Sequence, residues 1–343
     1  ISDEAILYIK YVVLYSAEPM VILFGLGANI FNIFVFTRMG LKDSVTVSLC
    51  SLAISDIWFL LIRSMVPSSL IIILFPRVAP RTIDITDVAY ACFWYSMVFY
   101  DTSMLIRVYT AVTRACCVAI PLTFRNTFTK KVTIYVVGTV FCLSLATRMP
   151  LLVCQGFQSV FDSKANMTKL VLSFTALRPA ALAVSDIVNR NIITWGAIIV
   201  VLISLFVLKL KLVSAAKFRL GAHNSNVTSE LKSRNKSNAL KFLHKRDKKA
   251  EVSLSSSVES NSFLVGKDLQ VLKVVILVSV IFIFCAVPPA VSGVIRQLVP
   301  DFNIGGRYGT VFQVITTVFD CCSYLNASLN VFVYYNYNTK FRQ

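Results

Sequence analysis

Val271-Leu-Lys-Val-Val-Ile-Leu-Val-Ser-Val-Ile-Phe-Ile-Phe-Cys-Ala-Val-Pro-Pro-Ala-Val-Ser-Gly-Val294 carries one charge, Lys273, at one end. As an α-helix it would be about 36 Å long, enough to cross roughly 30 Å of hydrocarbon. Working outward, six more mostly apolar stretches of membrane length lie near 17–38, 45–73, 87–117, 131–152, 189–213 and 308–335, with this one occupying 271–297. Composition agrees: 56% hydrophobic residues, 15% charged residues and a mean hydropathy of +0.71 do not describe a water-soluble globular domain. Lipid offers no hydrogen bonds to an open backbone, so spans of this length are expected as helices. The fold predicted is all-α, a single seven-transmembrane helix bundle over 1–343.

Charge orients the bundle. The net charge of +17 would suggest nucleic acid in a soluble chain. Here fourteen Lys/Arg against five Asp/Glu fall between Lys209 and Lys273. By the positive-inside rule that stretch is cytoplasmic, and its 214–266 part reads as a basic, disordered third cytoplasmic loop. The N-terminus is then outside and the C-terminus cytoplasmic, in a multi-pass protein of the plasma membrane whose surroundings are the lipid bilayer and no nucleic acid. The basic loop is either a tether near anionic lipid or a selector of partners, and the two roles are compatible.

Polar residues inside the spans carry the functional signal, because each is costly in lipid unless it faces the bundle interior. Asn29 lies in the first span, Asp56 in the second, Ser103 in the third, and Asn326 and Asn330 one turn apart in the seventh. A buried Asp among hydroxyl and amide oxygens suits a small monovalent cation or a proton; a hydrogen-bonded cluster that only glues helices is the other reading. Cys92 and Cys154 both fall on the oxidising outer side and are expected to form a disulfide across the bundle mouth. Asn166-Met-Thr168 in the second outer loop is a glycosylation acceptor, whereas sequons at Asn226, Asn235 and Asn326 lie on the cytoplasmic side or in the membrane.

Five motifs, in order, resemble the rhodopsin-like (class A) G-protein-coupled receptors. They are Gly27-Ala-Asn29, Leu52-Ala-Ile-Ser-Asp56, Arg114 seven residues before Pro121-Leu122, Phe282-Ile-Phe-Cys-Ala-Val-Pro288, and Asn330-Val-Phe-Val-Tyr334 with Lys340-Phe-Arg342 after it. Phe36-Thr-Arg-Met-Gly-Leu-Lys-Asp-Ser-Val45 further resembles gastropod mollusc chemosensory receptors, themselves similar to invertebrate FMRFamide-type neuropeptide receptors. Departures accompany the matches. Thr113 stands where the family has an acid, Ala286 where it has tryptophan, Val331 where it has proline, and Cys92 lies three residues closer to Arg114 than the family spacing.

The resemblance implies a receptor that transduces an extracellular ligand to a heterotrimeric G protein, with Thr113, Arg114, Phe282, Pro288 and Tyr334 in activation and coupling. Asn29, Asp56, Ser103, Asn326 and Asn330 would line the central pocket, with a sodium ion at Asp56 as modulator and no other cofactor. The ligand, a small molecule or peptide, would meet Arg63, Ser96, Met97, Tyr100, Asp320 and Tyr324; Ser96 replaces the aspartate of amine receptors. Arg63, Asp320, Asp101 and Arg107 either serve that ligand or pair with one another and fix helix register. A chemosensory receptor is the expectation, a neuropeptide receptor of the same fold the alternative. A transporter or non-signalling membrane protein is the third reading, although no internal repeat is visible. Catalysis is not implied, since no nucleophile elbow, metal-ligand cluster or phosphate-binding loop is present.

Overall fold

The computed structural model describes residues 8, 12–66, 83, 85–163, 166–211, 213, 251–299, 301–303 and 305–337, without the side chains of 122, 125, 251–272 and 274. A π-helical turn, Val13–Ala17, runs into α1 (Glu18–Met39). Gly40, at φ 81°, turns the chain into the next helix, a conformation a Cβ would resist. There Asp43 caps α2 (Ser44–Arg63) by accepting from Thr46 N at 3.0 Å and from its hydroxyl at 2.8 Å. Then follow α3 (Ile85–Ala119), the short α4 (Pro121–Thr127) and α5 (Lys130–Val153), the last capped by Thr129 on Val132 N. After a hairpin come α6 (Arg178–Lys211), α7 (Glu251–Leu298), α8 (Gly309–Ser328) and α9 (Asn330–Tyr337).

By length and composition five helices can cross a membrane: the first, Val13–Met39, then α2, α5, α6 and the Val275–Leu298 part of α7. The other two expected spans are helical but more polar. α3 carries Asp87, Asp101, Arg107 and Arg114, and α8 carries Asp320 among hydroxyl and amide side chains. The apolar side chains turned outward, such as Leu23, Ile203, Phe206 and Phe284, suit hydrocarbon and not water. The protein is a multi-pass, mostly helical membrane protein.

The three largest apolar clusters of the described residues tie the helices together. Phe36, Leu49, Cys50, Val278, Val333 and Tyr334 join α1, α2, α7 and α9. Met104, Ala111, Ala197, Ile198, Val201, Phe282, Ala286 and Ala290 join α3, α6 and α7. Ile22, Phe59, Leu60, Tyr324 and Ala327 join α1, α2 and α8. Between α1 and α8 the approach is so close that a Cβ on Gly25 would stand 2.1 Å from Ser328 Oγ and 2.7 Å from Leu60 Cδ1. Small residues are what allow such contact between membrane helices.

Four features of the fold depart from what the sequence predicts. An antiparallel hairpin, β1 (Gln155–Asp162) and β2 (Met167–Phe174), fills the connection between α5 and α6 that the sequence predicts as the second outer loop, so the fold is not purely α. Its Leu172 N donates to Asp87 Oδ2 at 2.8 Å, pinning it to the first turn of α3. Expected to start at 189, the fifth span begins at Arg178, with a π-helical stretch, Asp186–Ile193, inside it. The sixth helix starts at Glu251, inside the 214–266 stretch read as loop; residues 214–250 lie outside the described ones, as do 67–73 of the second span. Finally, the seventh helix breaks at Leu329 although Val331 has replaced the expected proline.

Candidate functional site

Asp56, 1% exposed, sits at the middle of α2, where the Leu52-Ala-Ile-Ser register turns it inward onto α3 and the α8–α9 junction. Ser103 donates its hydroxyl to Asp56 Oδ1, and Asn330 Nδ2 donates to Oδ2 at 3.1 Å. The decisive partner is Arg107, one turn beyond Ser103 on α3. Its Nη2 lies 3.0 and 3.1 Å from the two carboxylate oxygens, and its Nη1 donates to Ser103 Oγ. The charge on Asp56 is therefore met by a tethered guanidinium, at the place where the sequence suggested a small cation.

Two members of the expected pocket stand elsewhere. Asn29 donates to the carbonyls of Gly25 and Ala327, both at 2.9 Å, so it ties α1 to α8, and its amide is not among the donors to Asp56. Asn326 contributes its backbone carbonyl, which accepts from Arg107 Nη2 at 3.3 Å, and its own Oδ1 has no partner among the described residues. The break at Leu329 explains this. Four-residue spacing puts Asn326 and Asn330 on one face only in a continuous helix, and here α8 ends before Asn330 begins α9. A side chain bonding into the i→i−4 ladder is a recognised cause of such breaks, which supplies the role the missing proline would have had.

At the C-terminal end of α2, Arg63, 2% exposed, donates Nη2 to Asp320 and Nε to the Tyr324 hydroxyl, at 2.7 and 2.6 Å. The Phe93 and Tyr324 rings lie under its guanidinium at 4.5 and 5.2 Å. Of the two readings of these charges, mutual pairing is the observed one. Tyr100 stands on Phe59, Met97 joins the same apolar cluster, and the buried Ser96 donates to Phe93 O in its own helix. Glu18, which the sequence reading missed, is buried at the start of α1 within electrostatic reach of Arg63 and Asp320. Its Oε2 and Arg63 Nη1 have no hydrogen-bond partner among the described residues.

A third pair was also missed. Arg148 of α5 holds Asp101 of α3 through Nε at 2.6 Å and Nη2 at 3.1 Å, and donates Nη1 to Ser185 of α6 at 3.0 Å. An arginine near the end of an apolar span was the available signal, since such a charge in lipid demands a partner.

Toward the C-terminal end of α3, Thr113 is buried and donates to the Thr110 carbonyl, so the residue before Arg114 in the sequence carries no charge. Tyr334 is buried against Phe36, ring centroids 5.2 Å apart. Phe282 is fully buried among α3, α6 and α7, with Ala286 one turn on, and Pro288 lies inside α7. Cys92 and Cys154 are both free thiols, which corrects the expected disulfide. Cys154 packs on Trp94, Leu151, Ala181 and Leu182, whereas Cys92, two residues from Trp94, points about 200° away around α3. Asn166 is exposed at the hairpin turn with φ 46°.

Among the described residues, four arginine–aspartate pairs between helices suit a bundle held in one packing and able to change it. Compared with known families, residues 20–245, well over half of the chain, match the one described as Serpentine type 7TM GPCR chemoreceptor Srx. No curated protein matches the chain. With membrane-length apolar helices around buried charge and that match, the chain belongs to the Srx family of serpentine chemoreceptors, which are G-protein-coupled receptors and not enzymes.

Proposed function

We propose that this chemoreceptor works as a seven-span plasma-membrane receptor with the rhodopsin-like layout, taking an extracellular ligand in the outer half of the bundle and engaging a heterotrimeric G protein at the inner ends of α3, α7 and α9. The observation that supports this reading most is the polar column across the bundle: Arg63–Asp320–Tyr324 at the outer level, then Asp56–Arg107–Ser103–Asn330 at the centre. A ligand shifts a two-state bundle only through its differential affinity for the two packings. The outer level offers such a handle, because Arg63 Nη1 and Glu18 Oε2 are buried without hydrogen-bond partners among the described residues. Closing or opening around them would alter the packing of Tyr324, and through α8 the geometry at Asn326 and Asn330. Arg114, with Thr113 supplying no charge to restrain it, and Tyr334 would complete the inner face.

The test is expression with a promiscuous Gα and a screen of amino acids, small odorants and peptide extracts, with surface delivery checked by antibody. A ligand-dependent response that Arg63→Ala or Asp320→Ala shifts by tenfold or more supports the reading. Silence of a surface-delivered receptor across the whole screen would sink it.

A further inference from the structure

At the outer end of α6 the structure leaves a cation without an anion. Arg190 lies in the π-helical stretch, Asp186–Ile193, and makes no ion pair or hydrogen bond through its guanidinium among the described residues. Asp186 and Asp320 are the carboxylates that bear on it, and each already holds another arginine: Asp186 meets Arg296 at 3.1 Å, and Asp320 meets Arg63 at 2.7 Å. Arg296 and Arg148 add like charge nearby. Depth fits access from outside. Arg190 is 21 residues from Lys211, about 30 Å along the helix, which places it near the outer boundary of the hydrocarbon.

The surroundings are built around its side chain. Gly293 of α7 makes the room, since a Cβ there would lie 2.6 Å from Arg190 Cδ and 2.7 Å from Cγ. The same Cβ position is 3.4 Å from Asn191 Oδ1, so that oxygen faces the Arg190–Gly293 contact. Asn191 Nδ2 donates to Asp186 O at 3.2 Å, which fixes the amide and makes Oδ1 a true acceptor, and this acceptor is buried and unpartnered. Asn189 repeats the pattern: it is fully buried, its Nδ2 is held by Thr147 O and Ser185 Oγ, and its Oδ1 is unpartnered. Ser292, 4% exposed, also keeps an unpartnered hydroxyl beside Gly293. Of these, Asn191 Oδ1 is the acceptor that lies at the Arg190–Gly293 contact, and a buried acceptor left unpartnered among the described residues calls for a donor.

Resting on the reading that the outer half takes the ligand, we infer that the α6–α7 contact at Arg190 is a subsite for a small organic acid bearing a hydrogen-bond donor next to its carboxylate, as in a hydroxy acid or amino acid. The guanidinium takes the carboxylate, bidentate where geometry allows. The ligand's hydroxyl or ammonium donates to Asn191 Oδ1. An anion alone would leave that acceptor unmatched, and a cation alone would meet Arg190 with like charge.

The test is ligand-observed NMR binding to the purified full-length receptor in nanodiscs, with lactate, glycine, acetate and methylammonium as probes. Lactate or glycine is expected to bind, acetate to bind about tenfold more weakly, and methylammonium not to bind. Arg190→Gln is expected to weaken binding roughly tenfold to a hundredfold, and Arg190→Lys less, since it keeps charge and loses the fork. Gly293→Ala, which displaces the Arg190 stem, is expected to weaken it as well, whereas Tyr135→Phe, on the exposed side of α5, is expected to leave it unchanged. Two controls separate the sources and the readings. If phosphatidylglycerol nanodiscs stabilise the receptor in an Arg190-dependent way while none of the acids binds in phosphatidylcholine, the occupant is a lipid headgroup and the proposal is overturned. Arg190-dependent binding without any G-protein response leaves this subsite standing and removes the signalling reading. A receptor that signals, with acid binding indifferent to Arg190→Gln and Arg190→Lys, removes the subsite alone.

Discussion

Replacing Arg107 with leucine should be among the most destabilising single changes in the bundle. Asp56 is 1% exposed and would keep only the Ser103 hydroxyl and the Asn330 amide of its present donors. Removing one partner of a buried ion pair leaves an uncompensated charge and costs about 3–5 kcal/mol. At 2–4 °C per kcal/mol for domains of 150–250 residues, the unfolding midpoint should fall by roughly 6–20 °C. Asp56→Asn alone strands the guanidinium in the same way. The double variant Asp56→Asn with Arg107→Leu removes both charges, and neutral replacement of a buried pair is commonly tolerated. Its midpoint is therefore expected well above that predicted from adding the two single losses, with a coupling of about 1–3 kcal/mol. The assay is thermal unfolding of the detergent-purified receptor followed by a thiol-reactive dye, for which the buried Cys50 and Cys285 are reporters. Additive single losses, or an Arg107→Leu midpoint equal to the parent's, would show that this pair does not hold the centre of the bundle.

Three further outcomes follow from the geometry. With Arg107 already on the Asp56 carboxylate, the parent's midpoint should respond to sodium chloride no differently than to N-methylglucamine chloride, whereas Arg107→Leu should gain a sodium-specific rise; a sodium-specific rise in the parent would restore a metal site at Asp56. Gly25→Ala forces a methyl onto Ser328 Oγ and should cost about 1–3 kcal/mol by overpacking, with part recovered by adding Ser328→Ala; no loss of midpoint in Gly25→Ala would mean that α1 and α8 do not approach this closely. Asp87→Ala should release the Leu172 amide and speed its hydrogen exchange by about tenfold, for one lost charge-assisted bond; unchanged exchange at Leu172 would place the hairpin's anchor elsewhere.

Helix positions were legible because a run of about 20 apolar residues has few other uses, and because Asp56, Ser103 and Asn330 are residues that lipid does not tolerate facing outward. Partners were not legible. Arg107 and Arg148 announce that they need a carboxylate, yet which helix supplies it depends on packing that no local pattern encodes. Similarly, i,i+4 spacing placed Asn326 beside Asn330 on the assumption of a continuous helix, and Leu329 breaks it. The hairpin was hidden for a different reason. Its strands are mostly exposed, so Phe157, Val160, Leu170 and Val171 carry β-formers without a clean inside-outside alternation. The glycine at 293 gave no signal, since its function is to admit the stem of Arg190 from another helix.

The ion pairs also divide the bundle unevenly. Arg63–Asp320 links α2 to α8, Asp56–Arg107 links α2 to α3, and Asp101–Arg148 links α3 to α5, so α5, α3, α2 and α8 form one charged chain. Asn29 adds α1 through the Ala327 carbonyl. Arg296–Asp186 joins α7 to α6 only. Between this second unit and the first, at the level of Phe282, the contact is the apolar cluster containing Ala111, Ala197, Ala286 and Ala290. Small apolar side chains resist sliding far less than a buried ion pair resists separation, because no charge is stranded when they part. Polar ties from α6 back to α5 lie at the outer end, from Arg148 to Ser185 and from Asn189 to the Thr147 carbonyl. A hinge of α6 and α7 near Arg190 and Gly293 would part the apolar clusters at Phe282 and Val278 while leaving the four described arginine–aspartate pairs intact. An acid bound there would act on the pair of helices that the charge network leaves free to move.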